Sequence, residues 1–231
     1  MKKNIFVLML LLAFVSVMFT SCKEDTPASD ATTGVIVRSV MQNGVPVYAT
    51  VHQVLGNVPM DTVIVTDPAG SVYGLHKNNG NPYEFILEPT LEQYSATPPM
   101  EGQFTYKVKF DNGDEKSYGN SIIAPYIAPS QNIAVTRATV NNQQAVILTW
   151  DAVPNAEVYS FTVTSGGTNI YYSDQLFSLA PGENGKINFP LSGFSSYTGQ
   201  TIQFRVVAYD LVNNSTIINA TSWSIATWVA E

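Results

Sequence analysis

Gln103–Tyr118 reads QFTYKVKFDNGDEKSY, and its first half alternates strictly. Phe104, Tyr106, Val108 and Phe110 fall on one side of an extended chain, while Thr105, Lys107 and Lys109 fall on the other. Successive side chains of a strand point to opposite faces, so this period means one buried face and one wet one. The alternation stops at Asp111–Asp114, where Asn112-Gly113 can supply the two positive φ angles of a type I′ hairpin turn. The same pattern extends in both directions. From Gly34 onward, runs of Val, Ile, Thr, Tyr and Phe alternate with clusters of Gly, Pro, Asn and Asp, and no long window carries the i, i+3, i+4 apolar stripe of a helix. Further strands are expected at Val35–Val40, Val47–Val54, Thr62–Thr66, Ser71–Lys77 and Tyr83–Leu87. The chain is expected to be all-β.

Six or seven strands within about 95 residues match an immunoglobulin-like sandwich, expected over residues 34–124. Pro125 and Pro129 stiffen the stretch APYIAPSQ (Ala124–Gln131) and cannot donate to a central ladder, so residues 125–130 read as a short, semi-rigid linker. A second sandwich is expected over residues 131–231. In Ala145–Val163, AVILTWDAVPNAEVYSFTV, the residues Val146, Leu148 and Trp150 alternate inward, a turn built on Asp151, Pro154 and Asn155 follows, and Tyr159, Phe161 and Val163 alternate back. In Thr201–Asp210, TIQFRVVAYD, the inward set is Ile202, Phe204, Val206 and Ala208. These two stretches resemble the B-to-C region and strand F of fibronectin type III domains. The family usually places a tyrosine where Ile202 stands, so the corner hydrogen bond of that tyrosine is absent or taken over, with Tyr197 as the candidate. Trp150 reads as core, because its phase is that of its inward neighbours.

The amino-terminal stretch has the three parts of a secretory signal: Lys2 and Lys3, the apolar run Ile5–Val17, then Phe19-Thr20-Ser21 before Cys22. The run is too short for a comfortable transmembrane helix, which needs about 20 apolar residues. Cys22 is the sole cysteine and so has no internal disulfide partner. The segment resembles a bacterial lipoprotein signal, cleaved after residue 21, with Cys22 acylated on its sulfur and its new amino group; an ordinary secretory peptide is the alternative. Lys23-Glu24-Asp25 resembles the short tag that sends Bacteroidota lipoproteins through the outer membrane to the cell face, and it also reads as the solvated start of a tether. Residues 22–33 are expected to be a flexible tether, since TPASDATT (Thr26–Thr33) offers nothing to bury.

Charge narrows the partners. Loss of residues 1–21 removes Lys2 and Lys3 and no acid, leaving 9 basic against 18 acidic side chains, a formal charge of −9. Such a chain repels nucleic acid and anionic head groups. With 45% hydrophobic and only 13% charged residues it can build real cores.

Little points to chemistry. His52 is out of phase with Val47, Ala49 and Val51, which places it on the outer face of its strand, and nothing near it or His76 is spaced as a third zinc ligand. No nucleophile elbow, phosphate loop or dinucleotide fingerprint occurs. Asp111, Asn112, Asp114 and Glu115 offer oxygen ligands for calcium, but a hairpin turn accounts for them. No metal, no cofactor and no enzymatic activity is expected. Asn213, Asn214 and Asn219 lie in Asn-Xaa-Ser/Thr triplets that a bacterial address makes irrelevant to eukaryotic glycosylation, whereas Asp61-Thr62-Val63 resembles the acceptor triplet of exported Bacteroidota glycoproteins, with Thr62 as acceptor.

Tyr171, Tyr172, Trp223 and Trp228 are the candidate ligand or partner aromatics, because aromatic faces stack on sugars and anchor protein partners. Adjacent strand residues face opposite ways, so only one of Tyr171 and Tyr172 belongs in a core; Trp223 and Trp228 are an odd number of positions apart and also face opposite ways. Two functions follow, both without catalysis. One is a lipid-anchored outer-membrane, surface-exposed module for adhesion, spacing or assembly. The other is an accessory glycan-binding lipoprotein of a polysaccharide-uptake system. If Cys22 is the acylated residue, Cys22→Ala leaves an unprocessed precursor without lipid label; normal labelling of that variant excludes the anchor.

Overall fold

The computed structural model describes residues 28–212 and 217–230. In chain order the strands are β1 (Ala31–Gln42), β2 (Val45–Gly56), β3 (Met60–Thr66), β4 (Val72–Gly74), β5 (His76–Asn78), β6 (Asn81–Leu87), β7 (Gly102–Phe110) and β8 (Glu115–Ile122) in the first half. The second half contains β9 (Ala134–Val140), β10 (Gln143–Trp150), β11 (Val158–Ser165), β12 (Thr168–Tyr172), β13 (Gly185–Pro190), β14 (Thr201–Leu211) and β15 (Ile218–Val229). Short 3-10 turns cover Leu91–Gln93 and Leu191–Tyr197. The fold is all-β and sandwich-like. A four-stranded sheet, β4-β3-β7-β8, faces β1, β2, β6 and β5; a three-stranded sheet, β13-β10-β9, faces β12, β11, β14 and β15.

The expected inward sets hold, with Phe161 half-buried against Phe177 and Phe189, and in β10 the other face is covered as well at Ala145 and Ile147. Phe104, Tyr106, Val108 and Phe110 are buried in the first sandwich; Val146, Leu148, Trp150, Tyr159, Val163, Ile202, Phe204, Val206 and Ala208 are buried in the second. The indole of Trp150 lies so close to Gly185 that a Cβ there would come within 1.8 Å of ring atom Cε2. At the corner where the tyrosine is missing, Ile202 is fully buried; elsewhere in this sandwich the Oη of Tyr159 accepts from Val153 N at 2.9 Å.

One pairing departs from two separate antiparallel sandwiches. β1 pairs with β15 in parallel, Val37 with Ala220 through Val40 with Trp223. This joins the two four-stranded halves into one eight-stranded sheet, β12-β11-β14-β15-β1-β2-β6-β5. The proline stretch is therefore packed and does not act as a spacer. Ile127 is buried, its carbonyl accepts from Ser39 Oγ at 2.7 Å, and Ser130 N donates to Ser224 Oγ at 2.7 Å. Ser39, Ser222 and Ser224 are all buried along the seam, and side chains this small leave room for the crossing backbone.

Four other expectations change. β1 begins at Ala31, within the segment read as tether, and Ser29 is already buried. Ser71–Lys77 is not one strand: β4 pairs with β3, Leu75 N donates to Val63 O at 2.9 Å, and β5 pairs with β6 in the opposite sheet. Asn112-Gly113 is not a type I′ turn, because only Gly113 has positive φ, at 91°. Gly113 N and Phe110 N donate to Phe110 O and Asp114 O, the three-residue loop with a glycine bulge. The paired positive φ angles lie instead at hairpins such as Asn43-Gly44, at 52° and 78°.

The fourth change is His52, which is fully buried, facing the core. β2 is covered on both faces: Val47 and Ala49 on one, His52 and Val54 on the other. Ala49 pairs with Arg38, and the segment after β6 brings Glu88 and Tyr94 to that arginine. Apolar phase along β2 therefore does not say which face is inward.

Trp150 is 1% exposed and lies against Tyr159 and Phe177, with ring centroids at 6.1 and 6.3 Å. Its indole N–H has no partner among the described residues, so its contribution is packing alone. Trp150→Ala is expected to lower unfolding stability by about 3 to 5 kcal/mol, read by denaturant titration; a loss under about 1 kcal/mol would contradict the buried placement.

Candidate functional site

The four aromatics singled out in the sequence do not converge. Trp228 faces inward opposite Ile202, with its ring 5.5 Å from that of Phe194. Tyr171 also enters that core, 5.1 Å from Phe189 and 5.5 Å from Phe194. Tyr172, on the other face of edge strand β12, is 61% exposed. Trp223 lies on the outer face of the long sheet, level with Val40 of β1 and Val207 of β14. The strands on either side of it each send a guanidinium over its ring, Arg38 at 4.0 Å and Arg205 at 4.6 Å from the centroid. Arg38 is ion-paired with Glu88, and Arg205 Nε donates to Thr162 Oγ1 at 3.2 Å. Partly desolvated cation–π contacts contribute about 0.5–2 kcal/mol each, so Trp223 staples the seam between the two sandwiches.

Two of the residues considered for calcium, Asn112 and Asp114, tie the β7–β8 turn to the chain just before β1. Ser29 Oγ donates to Asp114 Oδ2 at 2.6 Å, and Asn112 Nδ2 donates to Ser29 Oγ and to Asp114 Oδ2 at 2.8 and 3.0 Å. Those hydrogen bonds, Ser29 first and Asn112 second, hold the Asp114 carboxyl below its ordinary range. Beside them Asn57 Nδ2 donates to Ala28 O at 2.9 Å, and Tyr118 Oη donates to Asp30 Oδ1 at 2.9 Å. Among the described residues no three His, Cys, Asp or Glu side chains cluster as a metal site. Cys22, Lys23, Glu24, Asp25, Asn213 and Asn214 lie outside the described residues.

Thr62 is exposed on β3, opposite Lys109 of β7. Asn219 is buried: its Oδ1 accepts from Ile123 N at 3.0 Å, and its Nδ2 donates to Ile123 O and Asp210 Oδ2 at 2.8 and 2.7 Å. That amide is a second clasp between the two halves. No helix among the described residues is long and apolar enough to cross a membrane.

A recess absent from the sequence reading lies where the segment from β6 to β7 crosses the first sandwich. Its volume is about 390 Å³, and its lining includes Tyr48, Thr50, Tyr73, Gln93, Ser95 and Thr97. The crossing segment is bonded to β2 like a short strand, Tyr48 N to Ser95 O at 2.8 Å and Ser95 N to Tyr48 O at 3.0 Å. Tyr73 Oη donates to Asp67 Oδ2 at 2.9 Å; burial, then that carboxylate, pushes the phenol well above its ordinary range. Behind the recess runs a buried polar chain. Tyr106 Oη donates to Gly34 O at 3.2 Å, so it accepts from His52 Nδ1 at 2.8 Å, and His52 Nε2 in turn accepts from Thr50 Oγ1 at 3.1 Å. Burial among Phe104, Tyr106 and Tyr73, with ring centroids at 5.2, 5.9 and 6.1 Å, pushes the imidazole down to about 4. His76, by contrast, is exposed. Three stretches distant from one another in sequence, at 48–50, 73 and 87–99, form this recess, and Tyr48 and Tyr73 carried no local signal beyond ordinary strand composition.

The fold thus defines a class, an all-β protein of joined sandwiches. No family model matches the chain, and no curated protein matches it. Among solved structures it is similar to a Bacteroides uniformis ATCC 8492 protein described as a "putative carbohydrate binding protein", at 10% identity and a TM-score of 0.34, over 85% of this chain and 98% of that one. It is also similar to a tetra-tandem repeat from the extending region of a large adhesion protein, at 14% identity and a TM-score of 0.25, over 86% of this chain. The match spans 49% of that repeat structure. Neither similarity says what this chain binds.

His52 generates a pH prediction. Its folded value, about 4, lies below the unfolded 6.5, so between those limits the unfolded chain binds more protons. Stability present above pH 6.5 is then lost on acidification toward pH 4. The loss is about 3 kcal/mol, and denaturant titrations of His52→Leu should lack that portion of the slope; an unchanged slope would place the acid sensitivity elsewhere.

Proposed function

We propose that the chain is a non-catalytic, lipid-anchored module of the outer membrane that holds a binding surface clear of the cell, in adhesion, spacing or assembly. The observation that supports this reading most is the seam. Two sandwiches joined only by a flexible linker would move independently, whereas a shared sheet with clasps on both faces transmits orientation from one to the other. Strand register is consistent with the same reading. The described chain enters at Ser29–Ala31 beside the β7–β8 turn, and the pairing of Val37 with Ala220 sets the second sandwich alongside the first, its strand β15 starting farther along β1 than Ala31.

The finer alternative is accessory glycan capture, which requires a recess of sugar size. The cleft lined by Tyr48 and Tyr73 is the observation in its favour. It stands eight positions along β1 from Ala31, by the pairing of Ser39 with Tyr48, or about 26 Å from the tether exit at 3.3 Å per residue.

Protease added to intact cells is expected to degrade the wild-type chain, and a variant with Lys23, Glu24 and Asp25 all changed to Ala is expected to be protected. Equal protection of both would remove surface display from the reading.

A further inference from the structure

We propose that the cleft between β2, β4 and the β6–β7 crossing binds one end of a neutral carbohydrate, with Tyr48 as the stacking face and Thr50 as the acceptor for a sugar hydroxyl. This rests on the glycan-capture reading and assigns it a site. The volume, about 390 Å³, lies in the lower part of the roughly 300–1,000 Å³ range of small-molecule pockets. No lining side chain carries a formal charge at neutral pH. An anionic ligand would therefore lose its hydration without gaining a cation, and the nearby carboxylate of Asp67 is already bonded to Tyr73 Oη and Ser71 N. A wholly apolar ligand would strand the polar groups of the lining. A pyranose presents both what is needed, an apolar C–H face and a rim of hydroxyls.

The polar groups are already divided into donors and acceptors. The Thr50 proton is directed at His52 Nε2, leaving the oxygen free to accept. Gln93 Oε1 accepts from Thr90 N at 2.7 Å, leaving its NH2 free to donate. Ser95 Oγ accepts from Thr97 N at 3.0 Å, leaving its O–H free to donate. The Tyr48 hydroxyl has no partner among the described residues. The buried Thr50–His52–Tyr106–Gly34 chain then has a role beyond packing. A neutral imidazole in a sandwich core is costly unless bonded on both nitrogens, and here it fixes the rotamer and polarity of the Thr50 hydroxyl that lines the cleft. Such fixing in advance lowers the ordering cost of binding.

The test uses the full mature chain in detergent, titrated calorimetrically with neutral gluco-, manno-, galacto- and xylo-oligosaccharides, and with uronic-acid oligosaccharides as the charged counterpart. At least one neutral series is expected to bind and the uronates are not. Tyr48→Ala and Thr97→Trp are each expected to weaken binding about tenfold or more, as loss or occlusion of an aromatic anchor does, while Tyr172→Ala changes nothing. Thr97 is exposed, so Thr97→Trp fills the cleft without removing a core group and guards against a folding defect in Tyr48→Ala. Binding that survives both cleft variants leaves glycan capture standing and overturns the site. Binding of uronates in preference overturns the ligand class, and no binding by any series removes capture and site together.

Discussion

The parallel pairing of β1 with β15 is the constraint on which the rest of the molecule depends. It places the first and last described strands side by side, so neither sandwich has a free edge at the junction. Once the ladder forms, its two faces have to be covered. The inner face takes the proline-containing segment, held by Ser39, Ser130 and Ser224. On the outer face Trp223 lies between arginines from either side, and Arg38 is further tied to Glu88 of the crossing segment. The seam is thus continuous with the wall of the cleft, because the same crossing segment supplies Glu88 to one and Gln93 and Ser95 to the other.

Strand existence was legible wherever one face was buried and the other wet. β7 shows it, and the inward residues of β10, β11 and β14 were also identified individually, although Ala145 and Ile147 are buried on the second face of β10. The reading failed at β2, in Ser71–Lys77 and at Asn112-Gly113. β2 is covered on both faces, so the apolar phase of Val47 and Ala49 pointed His52 outward when it belongs to the core. Ser71–Lys77 looked like one strand because composition reports extended backbone and not the sheet to which it bonds; Leu75 is where the chain changes sheets. Asn112-Gly113 looked like a two-residue turn because the dipeptide is suited to one, but the register of β7 on β8, with Lys109 opposite Glu115, requires a longer loop.

The candidate site was less legible than the fold. Parity correctly separated Trp223 from Trp228 and Tyr171 from Tyr172, since it needs only a regular strand. It could not say that Tyr171 and Trp228 meet on Phe194, or that the ring of Trp223 is already engaged by two arginines. The cleft had no sequence signature at all. Its walls come from β2, β4 and a crossing segment with a single short 3-10 turn, each unremarkable alone.

The sequence by itself determined the all-β character, the inward residues of the one-sided strands and the core role of Trp150. Those are set by side-chain alternation and turn chemistry, which act over a few residues and leave a local pattern. Only the tertiary structure decided the partner of β1, the burial of the proline stretch, the face of His52 and the Tyr48–Tyr73 cleft. Backbone hydrogen bonds are chemically the same whichever strands they join, so the choice of partner leaves no local mark. It comes from how two whole sandwiches cover each other's remaining surface.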